Sequence, residues 1–393
     1  VHPSKNGPIL IIGGGIAGLY LRASLHARGQ PTILVESSSL GCGQSIASQG
    51  ILHRGIKYAL SSKAAQASSS LAQAHDAWNA NFAGTRAPNL GKVRVLAETM
   101  HFWTRPAGLL AAVTSSITGA AAALAMKSGV TKLARADYPA DFADSPSTVH
   151  VWRVEERCIE VRSLLVALRD ASTSPIVRGD GADLAALVGD FGARAVVLAA
   201  GIGNETLIRG LGVDPAPICQ RRPLQMVIMR DGPSVFFGHC LQELSDKPRL
   251  TITSTTDRIW YIGGNVAETG VERSPQDQIR AAREELDACM PWVKFASSPE
   301  NTAWSTLRVD RAEGRTLDGS RPDGPVIRRI ESKLPVPVWA AWPTKLALAP
   351  ALAADVETAL EHESLLAPPT PDQMTPPSDS QAPFEVASAP WEK

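Results

Sequence analysis

"PILIIGGGIAGLYLRASLHARGQPTILVES", residues 8–37, is the stretch that decides the fold. Ile9–Ile12 is a short continuous apolar run, the pattern of a parallel strand covered on both faces. A glycine loop, Gly13–Gly15, follows it. A helix is then expected from about Ile16 to near Gly29, and a β-rich run, Thr32–Val35, closes on Glu36. Gly13, Gly15 and Gly18 satisfy G-x-G-x-x-G in the strand–loop–helix setting that gives the motif meaning. The first glycine makes the tight turn, the second admits a pyrophosphate close to the backbone, and the third lets helix and strand pack closely. Ile16 and Ala17 open the helix, whose positive end faces the phosphates. Glu36 stands 18 residues after Gly18, suited to accept hydrogen bonds from ribose hydroxyls and to repel a 2′-phosphate. These residues predict a dinucleotide site; the motif alone does not choose between a flavin and a nicotinamide.

The rest of the chain frames that site. With 393 residues, 44% apolar and 20% charged, it has the composition of a globular protein of two domains. Lys+Arg and Asp+Glu both total 39, so no basic surface for nucleic acid is indicated and any anion must be recognised locally. The five cysteines are widely spaced and odd in number. They form neither a metal-ligand pair nor a disulfide framework, so no metal site is read, and a reducing, cytoplasmic compartment is expected. No charged-then-apolar leader opens the chain, although a trimmed one is compatible with a first residue of Val1. Residues 107–126 carry no charge over twenty positions, the length of a membrane span. They are mostly Ala, Gly, Ser and Thr, so a buried or interface helix is the better reading. Peripheral membrane association is compatible with this segment but not indicated, and nothing specifies an oligomeric state.

The strand and helix signals alternate along the chain. Residues 57–82 read as helical, 147–170 as strand then helix, and "ARAVVLAAG" (193–201) as a second buried strand ending at glycine. Residues 224–229, 249–255 and 258–264 have the β-branched content of sheet strands. Ser274 and Pro275 announce a helix over 274–290, and "PVWAAW" (337–342) precedes a closing helix. The fold class expected is α/β, with the cofactor domain interleaved with a second, antiparallel β-sheet domain. Residues 1–80 would open the cofactor domain, 81–150 form a helical substrate or cap region, and 151–215 return to the cofactor domain. Residues 216–320 would form a β-rich substrate domain and 321–365 the closing part of the cofactor domain. The Pro- and Ser-rich tail, 366–393, reads as disordered.

Several separated segments resemble the FAD-dependent oxidoreductases of the D-amino-acid oxidase/glycerol-3-phosphate dehydrogenase type. They are the glycine fingerprint with Glu36, "GCGQSIASQGILHRGIKY" (41–58), "AVVLAAGIGN" (195–204), "SRPDGPVI" (320–327) and "WPTKLALAPALAADV" (342–356). "GILHRGIKY" resembles the glycerol-3-phosphate and L-2-hydroxyglutarate dehydrogenase branch in particular. The run at 320–327 is two residues shorter than the family's between Pro322 and Asp323, and Pro343-Thr344-Lys345 stands where a glycine-rich turn is common.

The resemblance implies a Rossmann-like domain holding FAD non-covalently. Cofactor contacts are implied at Ser45, Ser48, Gln49, Gly50, Ala200, Gly201, Pro343, Thr344 and Lys345, besides the fingerprint residues. Lys345 and the amides at the closing helix would supply positive potential beside the flavin's N1 and C2 carbonyl. His53, beside the flavin ring in such proteins, would take the proton from a substrate hydroxyl as hydride leaves the same carbon. Arg308 or Arg311, within a run that also holds Arg315 and precedes Arg321, would clamp a carboxylate or phosphate. Tyr58, Tyr261 and His239 are weaker pocket candidates, and Trp103 with the helix after it a candidate cover or interface.

The expected activity is removal of a hydride from a CH–OH carbon of a small anionic substrate, a 2-hydroxy acid or polyol phosphate. The alternatives are CH–NH oxidation of an amino acid or secondary amine, and a non-catalytic FAD-binding partner subunit.

Overall fold

The computed structural model describes residues 6–54, 64–105, 129–241, 247–295, 303–316, 322–366 and 384–392, with side chains of 64–69 excepted. Tyr58, Arg321 and the uncharged stretch 107–126 lie outside these residues. No described helix is long and apolar enough to cross a membrane.

Ile9–Ile12 forms the centre of a six-stranded sheet. Its order is Val326–Ile330, Val338–Trp342, Ala195–Leu198, Ile9–Ile12, Thr32–Glu36 and Ile176–Arg178. All pairings are parallel except that of Val326–Ile330 with Val338–Trp342. Ile12 lies level with both Leu198 and Val35, so three strands end together where Gly13 begins the loop. Because side chains alternate across a strand, Ile9 and Ile11 enter one core and Leu10 and Ile12 the other. Helices Ile16–Ala27, Val161–Asp170 and Ala349–His362 cover the first face, and Leu184–Phe191 the second. Both faces are dry, which is why these strands read as unbroken apolar runs.

The second lobe is an eight-stranded sheet in which Leu224–Met229, Leu250–Ser254 and Trp260–Gly263 take the places their alternation predicts. Ser274 Oγ accepts from the Asp277 amide at 3.1 Å and caps the helix Pro275–Cys289. That helix lays Ala282, Leu286 and Cys289 on an aromatic core of Trp103, Phe142, Phe236 and Trp260. Trp103 is thus interior, and its indole donates to Cys289 O at 3.0 Å.

Two expectations need correction. The described part of 81–150 is not a helical cap: Met100–Thr104 and Val130–Lys132 are strands of the eight-stranded sheet. Short β-propensity runs there were masked by the small, helix-favouring residues around them. Nor is the tail uniformly unstructured. Residues 384–392 lie against both lobes, with Val386 bridged to Leu40 and Ala387 N donating to Leu40 O at 3.0 Å. Arg178 sits over the Phe384 ring at 4.8 Å, and Trp391 meets Tyr261 edge-on at 5.7 Å.

Trp391→Ala removes a half-buried aromatic pair and should lower the unfolding free energy of the holoprotein by about 1–2 kcal/mol. A urea midpoint that does not move would mean that the tail contributes nothing to the fold.

Candidate active site

Every fingerprint glycine has a steric reason. A Cβ at Gly13, whose φ is +113°, would stand 2.6 Å from Ala200 Cα, because the strand ends at 12 and 198 converge. At Gly18 it would overlap the carbonyl oxygen of Gly13, so any side chain would part the first helix from its strand. At Gly15 it would reach Ser45 Oγ at 3.1 Å; that hydroxyl accepts from the Ile16 amide at 2.9 Å and ties the helix start to the loop 41–49. Glu36 holds the glycine loop itself, its Oε2 accepting from Gly14 N at 2.6 Å.

A cavity of 1310 Å³ is lined by Glu36, Ser37, Gly179, Asp180 and residues 182–184, by Gly13, Gly15, Ile16, Ala17, Ala200 and Gly201, and by His53, His239, Thr251 and Arg311. Pro343, Thr344 and Lys345 also line it. Ser48 lines it too; its Oγ is closed off from solvent and has no hydrogen-bond partner among the described residues.

The segment 48–54 is fixed at three points. Gln49 donates from Nε2 to Tyr261 O at 2.9 Å and Thr251 O at 3.1 Å, so its amide nitrogen is spent on the neighbouring sheet and not on a flavin edge. Gly50 has a φ of +69°, and a Cβ there would overlap Ile159 O, so only glycine fits. His53 Nδ1 lies 3.1 Å from Glu156 Oε2, and Arg54 N donates to Glu156 Oε1 at 3.3 Å. His239 Nε2 stands 3.7 Å from the same Oε2, while its Nδ1 is 2.8 Å from Thr251 Oγ1. Glu156 and His239 are fully buried; the His53 side chain is 24% exposed on the cavity wall.

The arginines separate. Arg311 lines the cavity, held by a 2.7 Å bond from Nε to Arg222 O. Arg308 does not: it is exposed and donates to Asp310 Oδ1 and Val271 O. The clamp expected at Arg308 is therefore corrected, since the strand Trp304–Val309 turns this side chain away. Arg315 also lies off the cavity, on Cys219 O. Tyr261 is interior, its hydroxyl donating to Ala47 O at 2.9 Å and its phenol pushed up by burial.

At the closing turn the helix begins later than expected. A 3₁₀ turn, Leu346–Leu348, precedes Ala349–His362, and Lys345 caps it with extended backbone. Thr344 takes the left-handed conformation, φ +63°, that a glycine commonly supplies.

Two functional residues escaped sequence reading. Glu156 sits in "VEERC" with no local signature, 103 residues from His53. Glu268 also lines the cavity, within electrostatic reach of Arg311. Burial pushes its carboxyl up, but the hydrogen bond and charge of Lys247, with Arg222 and Arg311 behind, hold it below the usual range on balance.

Comparison with known proteins agrees with this geometry. The family described as FAD dependent oxidoreductase, DAO, matches residues 8–347. This chain belongs to that family. It is therefore an FAD-dependent oxidoreductase. A probable FAD-dependent oxidoreductase of Pseudomonas aeruginosa is 39% identical over 373 residues, 91% of each chain. The crystal structure of an FAD-dependent oxidoreductase from that organism superposes with a TM-score of 0.75 at 32% identity, covering 98% of this chain and 97% of the other. Glycine oxidase from Geobacillus kaustophilus shares the fold, with a TM-score of 0.60 at 16% identity over 97% and 98% of the two chains.

The residues present fit FAD. The glycine cradle leaves no room for a Cβ, the Glu36 carboxylate lines the same cavity, and the Ser48 hydroxyl is buried on its wall with no hydrogen-bond partner among the described residues.

Gly18→Ala in this oxidoreductase should therefore yield protein that purifies with little flavin absorbance. Gly189→Ala is the control: a Cβ at this helical position meets nothing within 4 Å, and it should leave flavin content unchanged while gaining about 0.5–1 kcal/mol of stability. Equal flavin content in the two variants would refute the cradle.

Proposed function

We propose that this oxidoreductase oxidises a CH–OH carbon of a small anionic substrate, with His53 as the base. FAD, when bound, accepts the hydride that leaves the substrate carbon. The observation that carries the reading is the fixed imidazole: Glu156, buried and within 3.1 Å of Nδ1, orients the His53 ring on the cavity wall. With Nδ1 engaged by the carboxylate, Nε2 is the nitrogen we assign to take the hydroxyl proton. Carboxylate-supported imidazole is more basic than imidazole alone, because the charge that forms is stabilised at once.

Arg311 is the arginine we assign to the substrate anion. Its support is its position on the cavity wall and the balance of its neighbourhood, where Arg222, Lys247 and Arg311 outweigh Glu268 and Glu313. Lys345 and the turn at Pro343-Thr344 are assigned to the positive potential beside the flavin, and FAD to non-covalent binding.

A second reading, CH–NH oxidation, is supported by the fold shared with glycine oxidase from Geobacillus kaustophilus.

One experiment separates the two. A panel of hydroxy acids, polyol phosphates and amino acids is mixed anaerobically with the holoenzyme, and flavin bleaching is followed by stopped flow. A hydroxy acid or polyol phosphate should reduce the wild type, and His53→Ala should slow that step by roughly 10²–10⁴-fold with substrate affinity little changed. Glu156→Gln, which keeps the shape and loses the charge, should slow it less. Bleaching only by amines, or a His53→Ala rate within a few-fold of wild type, overturns the proposal.

A further inference from the structure

The three side chains that meet where His53 and His239 line the cavity have more than an orienting geometry. His53, Glu156 and His239 each offer one ligand atom, and the three atoms lie within 4.8 Å of one another. Two imidazoles and a carboxylate are the donor set of a catalytic-type zinc centre, which keeps its fourth position open. A tetrahedral ion about 2.0–2.1 Å from each donor requires donors about 3.3–3.4 Å apart. Glu156 Oε2 stands 3.1 Å from His53 Nδ1 and 3.7 Å from His239 Nε2, so the two carboxylate separations bracket this requirement, and the imidazole nitrogens lie within 4.8 Å of each other.

The surroundings also resemble a metal site. Metal-binding imidazoles are oriented through their other nitrogen. His239 meets this condition, with Nδ1 2.8 Å from Thr251 Oγ1 and Nε2 turned to Glu156. The ring planes of His53 and His239 are tilted by 36° with centroids 6.0 Å apart, which leaves an ion room between their edges. Access is from the cavity, through the partly exposed side of His53. The ligands come from three separate stretches of chain, so no sequence spacing announces the set.

We propose that His53 Nδ1, Glu156 Oε2 and His239 Nε2 form a binding site for a borderline divalent cation of the Zn²⁺ class, and that its occupancy switches off turnover. The inhibitory half rests on the reading of His53 as the base: with Nδ1 on a cation, Nε2 carries the proton and cannot accept another. The site itself does not depend on that reading.

The test uses purified holoenzyme, first dialysed against chelator, then against graded ZnCl₂, with bound zinc measured by atomic emission. Wild type should retain one zinc ion per chain more than His53→Ala. Thr251→Val, which only frees His239 Nδ1, should weaken that ion's binding by about 10–100-fold. His239→Asn should abolish it, and a circular dichroism spectrum like that of wild type shows that the variant is folded. Turnover of the wild type should fall as the site fills and return on adding chelator. Equal zinc retention by wild type, His53→Ala and Thr251→Val overturns the site. Retention of the extra ion with turnover unchanged supports the site and refutes His53 as the base.

Discussion

A carboxylate cut off from water must find its compensation in the protein, because burying a lone charge costs far more than any single contact returns. Glu156 is that carboxylate. Its partners are the His53 ring, the Arg54 amide and His239, contributed by the segment 48–54 and the strand Gly238–Leu241. Between Val151–Val154 of the large sheet and Arg157–Ile159 of a small one, Glu156 is itself at a seam. One side chain thus draws together the cofactor segment and both sheets that flank it. The geometry of His53 follows from this demand, and so does the meeting of donors able to hold a cation.

The same seam explains the close approaches around it. Gly50 passes directly against Ile159, Ile159 N donates to Gly50 O at 2.9 Å, and Gln49 reaches two carbonyls of the large sheet. These contacts join residues more than 100 and, for Gln49, more than 200 positions apart, so the lobes cannot slide without breaking several hydrogen bonds at once. At the other end of the loop 41–49, the tail residues Glu385 and Ala387 bond Leu40, while Trp391 covers Tyr261. Loop and tail together join the dinucleotide end of the cavity to its reactive end.

What was legible in the sequence was what obeys local rules. The strand, glycine turn, helix and acidic strand end over 8–37 each carry a short-range signature, and so does the Ser274 cap. His53, the residue we propose as the base, was picked out through the resemblance of "GILHRGIKY", but its partner was not. Glu156 is one acid beside another, Glu155, and only the fold turns one inward and leaves the other exposed. Arg308 and Arg311 were indistinguishable for a similar reason: which side of a strand end a side chain takes depends on pairing with Leu224–Met229. The tail misled because proline and serine dominate its composition, whereas three apolar residues, Phe384, Val386 and Trp391, decide its docking.

Thr344 shows how a departure from the family pattern can be absorbed without losing the turn. A left-handed backbone at a β-branched residue is strained by about 1–3 kcal/mol. Its Oγ1 donates to Gly324 O at 2.8 Å, a bond glycine could not make, and that bond offsets part of the strain. The hydroxyl also ties the turn to the segment before Val326–Ile330, the edge strand of the cofactor sheet. A glycine turn is free to shift; this one is held from two sides, with Lys345 N donating to Pro343 O at 2.6 Å. The consequence is a rigid wall next to Lys345, the side chain we assign to the positive potential beside the flavin. Preorganised charge of this kind needs no rearrangement when the charge it faces changes.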